Sequence, residues 1–210
     1  MKTLNRRVKG FTLTEMIVVI AIIGVLLGIL APTMSAYYWK SRVKSANADA
    51  KMIYNAAQTE VQKYISFDRM NPSDSSGLNG TMLISYSNQS GGNFRYVLTE
   101  DGHALASSTP IAISGAHASS DEEAAASVAD AVNKTVSGAD TKCWAVYINN
   151  YIVKASIAAD NNSTFYVGHY STGKIIVPDS RPNVSYASWL TGNGADNSLI
   201  GIASKYDTIS

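Results

Sequence analysis

Lys9-Gly10-Phe11-Thr12-Leu13-Thr14-Glu15 runs directly into Met16-Ile17-Val18-Val19-Ile20 and on to Ala31 with no further charge. As a helix rising about 1.5 Å per residue, residues 11–31 are long enough to cross a roughly 30 Å hydrocarbon core. Glu15 is the one charge in that stretch. A carboxylate well inside a bilayer costs roughly 3 kcal/mol to insert, and such groups are retained where they meet a partner. An anchor alone would not need it.

Three plainer readings explain less. A secretory signal has a basic start and a short apolar core, but its cleavage site follows that core. Here Ala31 is followed by Pro32, and Met34-Ser35-Ala36 is a mediocre site. A plain single-span anchor accounts for the length and leaves Glu15 unexplained. A buried helix of a soluble protein would not carry so long an uninterrupted apolar run.

Gly10-Phe11-Thr12-Leu13-x-Glu15 followed by an apolar helix resembles the class III signal of type IV prepilins and the related type II secretion pseudopilins. The resemblance covers about residues 5–60. It implies that a membrane-embedded prepilin peptidase cuts between Gly10 and Phe11 and that the same enzyme, as methyltransferase, methylates the new N-terminus at Phe11. It further implies that Glu15 serves assembly by neutralising the amine of Phe11 in a neighbouring subunit. Gly24 and Pro32 fall where such chains carry helix-loosening residues. Gly24-x-x-x-Gly28 also permits close helix approach in a membrane, and Pro32 removes a backbone donor, so curvature or local unwinding is expected there.

Composition bounds what else the chain does. Lys2, Arg6, Arg7 and Lys9 precede the cleavage position with no acid among them, so removing residues 1–10 leaves 13 of the 17 Lys+Arg against 16 Asp+Glu, a formal charge of −3. Phosphate contacts supply most nucleic-acid affinity, so no nucleic-acid partner is expected. The leader cations match the cytoplasmic side of a span, although Lys40, Arg42 and Lys44 lie beyond it. Cys143 is the only cysteine, so no disulfide forms within these residues. That departs from the many Gram-negative pilins that close a C-terminal loop with one, and sits better with pilins of anaerobic or Gram-positive bacteria.

Helical periodicity continues past the span. Val43, Ala46, Ala50, Ile53, Ala57, Val61 and Tyr64 recur at three- and four-residue steps, forming one apolar stripe on an otherwise polar helix. The pattern predicts one long helix over 11–66, apolar all round in its first half and amphipathic in its second. Asn71-Pro72-Ser73-Asp74 ends it. Residues 81–87 and 93–99 read as strands around Gly91-Gly92. Ser120-Asp121-Glu122-Glu123 reads as a capping box opening a helix over 120–136. Strands are predicted over 142–149, 151–158, 164–170 and 174–177, with short connections that make an antiparallel meander. One of its faces packs on the amphipathic helix, either Cys143/Ala145/Tyr147 or Trp144/Val146/Ile148. After Pro178 an irregular tail follows, anchored by Trp189 and Leu190.

The fold class is therefore α+β and similar to type IV pilins: a long N-terminal helix whose C-terminal half packs on an antiparallel sheet, plus one short extra helix. The expected segments are a leader at 1–10, a transmembrane and polymerisation half at 11–34, an amphipathic half at 35–66, and a β-rich head at 67–210 that forms one domain with 35–66.

Catalytic chemistry has no carrier in this pattern. His103, His117 and His169 are far apart, and there is no Gly-x-Ser-x-Gly elbow or phosphate-binding glycine loop. Each histidine reads as a surface or locally hydrogen-bonded residue. Asp160-Asn161-Asn162 offers oxygens to calcium, with Asp160 as the candidate ligand, but lacks the spaced acids of an EF-hand loop, and a hairpin turn accounts for it. No cofactor and no resident metal are expected. Seven of the fifteen tyrosines and tryptophans fall in predicted strands, where aromatics favour half-buried positions. Trp39 suits the membrane interface.

These readings converge on a non-enzymatic structural subunit of a type IV pilus or pilus-like filament. It would sit in the inner membrane in contact with lipid, leader inside and head outside, and then join an extracellular filament. The implied partners are copies of itself, other pilins, the prepilin peptidase/methyltransferase and the assembly machinery. Two alternatives stand beside it: a pseudopilin of a secretion or DNA-uptake system, and a membrane-anchored carbohydrate-binding adhesin.

Overall fold

A computed structural model describes residues 10–88, 91–99, 109–171, 174–175, 182–191, 199–201 and 203. The leader cations, His103 and the predicted strand end at 176–177 lie outside them. The chain divides into two compact units, residues 1–39 and 40–210.

The first helix, α1 (Leu13–Met70), carries both the apolar segment and the amphipathic stripe. In the first unit every large apolar side chain from Met16 to Leu30 is exposed. Its β-branched run Ile17-Val18-Val19-Ile20 is a modest helix former in water, but a hydrocarbon surrounding requires every backbone group to be satisfied within the segment, which a helix achieves. The helix is unbroken through Gly24, Gly28 and Pro32, so the local unwinding that was one expected outcome there does not occur. Beside Pro32, the Thr33 hydroxyl donates to the carbonyls of Leu30 (2.9 Å) and Ile29 (3.3 Å). Trp39 is buried, whereas an interfacial aromatic would be exposed.

In the second unit the stripe behaves as its spacing requires: Val43, Ala46, Ala50, Ile53, Ala57 and Val61 are all buried. The helix runs to Met70, past the predicted end at 66. Its last turn is held by Asp68, a buried carboxylate that accepts the Ser76 amide (3.0 Å), the Ser76 hydroxyl (2.6 Å) and the Tyr151 hydroxyl (2.8 Å). Pro72 disfavours helix at Asn71 and ends the run there.

Among the described residues, seven antiparallel strands form one sheet in the order β3-β2-β1-β4-β5-β6-β7. They are β1 (Thr81–Ser87), β2 (Asn93–Leu98), β3 (Ile111–Ala112), β4 (Cys143–Asn149), β5 (Ile152–Ala159), β6 (Gly168–Ser171) and β7 (Lys174–Ile175). The predicted strand over 164–170 is shorter than expected. Residues 164–167 belong instead to the β5–β6 connection, where the Thr164 carbonyl accepts the Tyr186 amide rather than a strand partner. The β4–β5 turn places Asn150 and Tyr151 at φ of 50° and 60°, the left-handed pair of a type I′ hairpin. A tyrosine there is strained, and tertiary bonds hold it. Its amide donates to Leu78 O, its carbonyl accepts from Gln58 and Gln62, and its hydroxyl reaches Asp68. Burial, followed by the Asp68 carboxylate it serves, pushes the pKa of that phenol up to about 12.

The choice of sheet face is resolved in favour of Trp144, Val146 and Ile148. They share a core with Ala50, Ile53, Ala57 and Val61 of α1, with Met82 and Ile84 of β1, and with Ala125, Val128 and Val132 of α2 (Ser120–Thr135). In that core Tyr86 stacks on Trp144 at 5.6 Å. A register shift opposite Tyr147 and Ile148 leaves Lys154 out of the pairing, so Val153 faces α1 while Ala155 faces away.

The opposite face is covered as well. Leu83, Cys143, Ala145, Ala155 and Ile157 pack with Tyr186 and Trp189 of α3 (Tyr186–Thr191) and with Leu199, Ile200 and Ala203. Trp189 and Leu190 do anchor this region, but the irregular tail is corrected where it is described: residues 182–191, 199–201 and 203 form a third layer, and the extra helix α2 is joined by α3 and by a 3-10 turn at Ala139–Thr141. The predicted capping box shifts by one residue. Ser119 is the N-cap and accepts the Glu122 amide, while the Ser120 hydroxyl donates to Ser75 O. Tertiary bonding of Ser120 frees its neighbour to cap.

Candidate functional site

The residues of the N-terminal motif come first in the chain. Gly10 and Phe11 are exposed, Phe11 by 81%. A side chain at Gly10 would meet no heavy atom within 4 Å. Helix α1 begins two residues after Phe11, and its cap supplies what the motif alone did not reveal. Glu15 Oε2 accepts both the Thr12 amide and the Thr12 hydroxyl at 2.8 Å, and Thr12 Oγ1 accepts the Glu15 amide at 3.3 Å. This is a reciprocal capping box. Its signal is present in the sequence as Thr12-x-x-Glu15, but the cost of a carboxylate in lipid is the more conspicuous property and masks this local use. Glu15 therefore has partners within its own chain, all from Thr12, and its side chain remains exposed.

Gly24 and Gly28 likewise face open space, with no heavy atom within 4 Å of where a methyl group would sit. No contact among the described residues demands glycine at either position. From Met16 to Leu30 the helix offers an apolar surface on every side, and an 18-residue window of it reaches a mean hydropathy of 2.7.

Asp160 pairs with Arg42 at 3.6 Å, and both side chains are more than half exposed. Asn161 Oδ1 accepts the Ser163 amide at 3.0 Å, which makes the segment an Asx-type turn. No group of three His, Cys, Asp or Glu side chains converges on a metal-sized site among the described residues.

The described histidines are not brought together. His117 sits 3.3 Å from Glu122 and edge-on to Phe94. His169 is a correction to the surface reading: it is buried, stacks on Trp189 at 5.3 Å, and its amide donates to Asn47 Oδ1 at 2.9 Å. Burial lowers its pKa to about 4. The Cys143 thiol is buried and pushed up in pKa by that burial.

Residues 5–31 match the family model of the prokaryotic N-terminal methylation motif. Comparison with curated proteins and with solved structures produced no match. The matched segment contains Gly10, Phe11, the Thr12–Glu15 cap and nearly the whole exposed apolar run. Residues 5–31 thus carry the class III signal characteristic of type IV pilins and pseudopilins, at the start of an α+β chain whose long helix packs on an antiparallel sheet.

Proposed function

We propose that this chain is a structural, non-enzymatic subunit of a type IV pilus or pilus-like filament, cut between Gly10 and Phe11, N-methylated at Phe11, and polymerised through the apolar half of α1. The observation that carries the reading is the methylation motif joined to a helix whose apolar side chains are exposed all round. Such a surface is stable in lipid before assembly and among the helices of sibling subunits afterwards. Residues 67–210 form the head, in one domain with 35–66, and Gly24, Gly28 and Pro32 allow close packing and bending of the helix within the filament.

Glu15 is the assembly residue. In the single chain its carboxylate caps Thr12; in the filament it meets the Phe11 amine of a neighbour, an ion pair whose loss would leave a buried charge costing roughly 3–5 kcal/mol. Intact-mass analysis of the mature protein tests the processing step: a chain beginning at Phe11 and one methyl heavier is expected, and a chain beginning at Tyr37 or later would overturn it. Glu15→Leu is expected to insert and be cleaved yet yield almost no sheared filaments. Normal filament yield would sink the assembly role.

A further inference from the structure

The sheet face away from α1 carries a small cavity. Ser85 of β1 and Arg95 of β2 are cross-strand partners, and Ser87 and Asn93 are the next pair on the same side. All four project to the face shared with Leu83, opposite α1. Asn162, from the β5–β6 connection, and Tyr186 of α3 complete a cavity of about 110 Å³.

Its chemistry is one-sided. Among the described residues Arg95 is the only charged one lining it, and no carboxylate lines it. Nor does any carboxylate among them pair with Arg95. The two serines and two asparagines each offer donors, one of which, Asn162 Nδ2, already steadies Ser87 Oγ at 3.3 Å. Tyr186, which also lines the cavity, is fully buried and does not expose its hydroxyl to it. A guanidinium surrounded by neutral donors is the arrangement that recognises an oxyanion, through paired N–H groups and charge-assisted hydrogen bonds.

A cavity of about 110 Å³ admits a carboxylate or phosphate group. We propose that this cavity binds the oxyanion of a small hydroxylated ligand, such as the carboxylate of an acidic sugar, with Arg95 as its charge partner and Ser85, Ser87, Asn93 and Asn162 as neutral donors.

Calorimetric titration of the full chain in a neutral detergent, at fixed ionic strength, tests this with sodium glucuronate, inorganic phosphate and glucose. Saturable binding of glucuronate and none of glucose is expected. Arg95→Gln weakens that binding at least about tenfold, Arg95→Lys retains part of it, and Lys134→Gln, whose lysine pairs with Asp130 on α2, leaves it unchanged. Phosphate binding as tightly as glucuronate assigns the affinity to the oxyanion alone; tighter glucuronate binding adds the sugar hydroxyls. Absence of saturable binding for both anions, or binding that Arg95→Gln leaves intact, overturns the proposal and marks a water-filled cavity only.

Discussion

Two stretches of the same helix treat their apolar side chains in opposite ways. Between Met16 and Leu30 of α1 the large apolar residues are exposed, whereas Val43, Ile53 and Val61 are wholly or almost wholly covered. Composition explains the difference. The first stretch is apolar on every side and so has no face to present to water; the second alternates an apolar stripe with Lys44, Lys51, Asn55 and Lys63, so one face packs and the others are solvated. One helix thus serves two environments, because the period of its hydrophobic pattern changes along its length.

The sharpest test of that contrast separates the stretches. Residues 35–210 are expected to be a soluble, cooperatively folding monomer, while the full chain requires lipid or detergent. In that fragment Ile53→Asp removes roughly 2–3 kcal/mol of apolar burial and buries a carboxylate, together comparable with the whole stability of an ordinary domain. Loss of the cooperative thermal transition is expected. Ile23→Ala in the full chain, by contrast, should leave the head's melting midpoint unchanged. A folded Ile53→Asp fragment would break the comparison.

A smaller effect tests how closely the covered stretch meets the sheet. A methyl group on Gly168 would lie 1.9 Å from the carbonyl carbon of Ala46 and 2.4 Å from the Asn47 amide nitrogen. Backbone on both sides has little room to yield, so Gly168→Ala is expected to cost about 3 kcal/mol, read from denaturant midpoints. The adjacent bond from the His169 amide to Asn47 should exchange its hydrogen faster in that variant.

Acid probes the same seam. His169 has a folded pKa of about 4, below its unfolded value of 6.5, because burial disfavours the imidazolium. Between those values the unfolded chain binds more protons, so its contribution to stability is fully present above about pH 6.5, falls as pH drops through that window, and levels off below about pH 4. The whole shift amounts to roughly 3 kcal/mol. His169→Phe, which keeps a ring against Trp189, is expected to flatten that part of the pH profile; an unchanged profile would show that the carboxylates carry it instead.

The smallest effect is at the rim. Asp160→Ala breaks an exposed pair with Arg42 and should shift stability by less than about 0.5 kcal/mol. A calcium-dependent rise in the midpoint that this substitution abolishes would restore the ligand role to Asp160.

The helix, its stripe and the strand β1 were legible because periodicity is a local property that burial later respects. The N-cap of α1 is equally local, written in Thr12-x-x-Glu15, yet the same carboxylate also reads as a buried charge in search of a distant partner. The shift of the α2 cap from Ser120 to Ser119 was not legible, since it depends on Ser120 reaching Ser75, 45 positions away. His169 read as a surface or locally hydrogen-bonded residue because its neighbours in sequence, Gly168 and Tyr170, say nothing of Trp189 stacking on it.

What the sequence by itself determined is the processing signal, the long helix with its change of environment, and an antiparallel head without a disulfide, since each follows from residue type and spacing alone. Only the tertiary structure decided which sheet face meets α1, the burial of His169, and the third layer built from 182–191, 199–201 and 203. In β4 both alternating sets are apolar, Cys143, Ala145 and Tyr147 as well as Trp144, Val146 and Ile148, so its pattern has no polar side from which to tell in from out. Both faces were to be covered, and which element covers each depends on contacts between residues more than a hundred positions apart, such as Ala50 with Ser156.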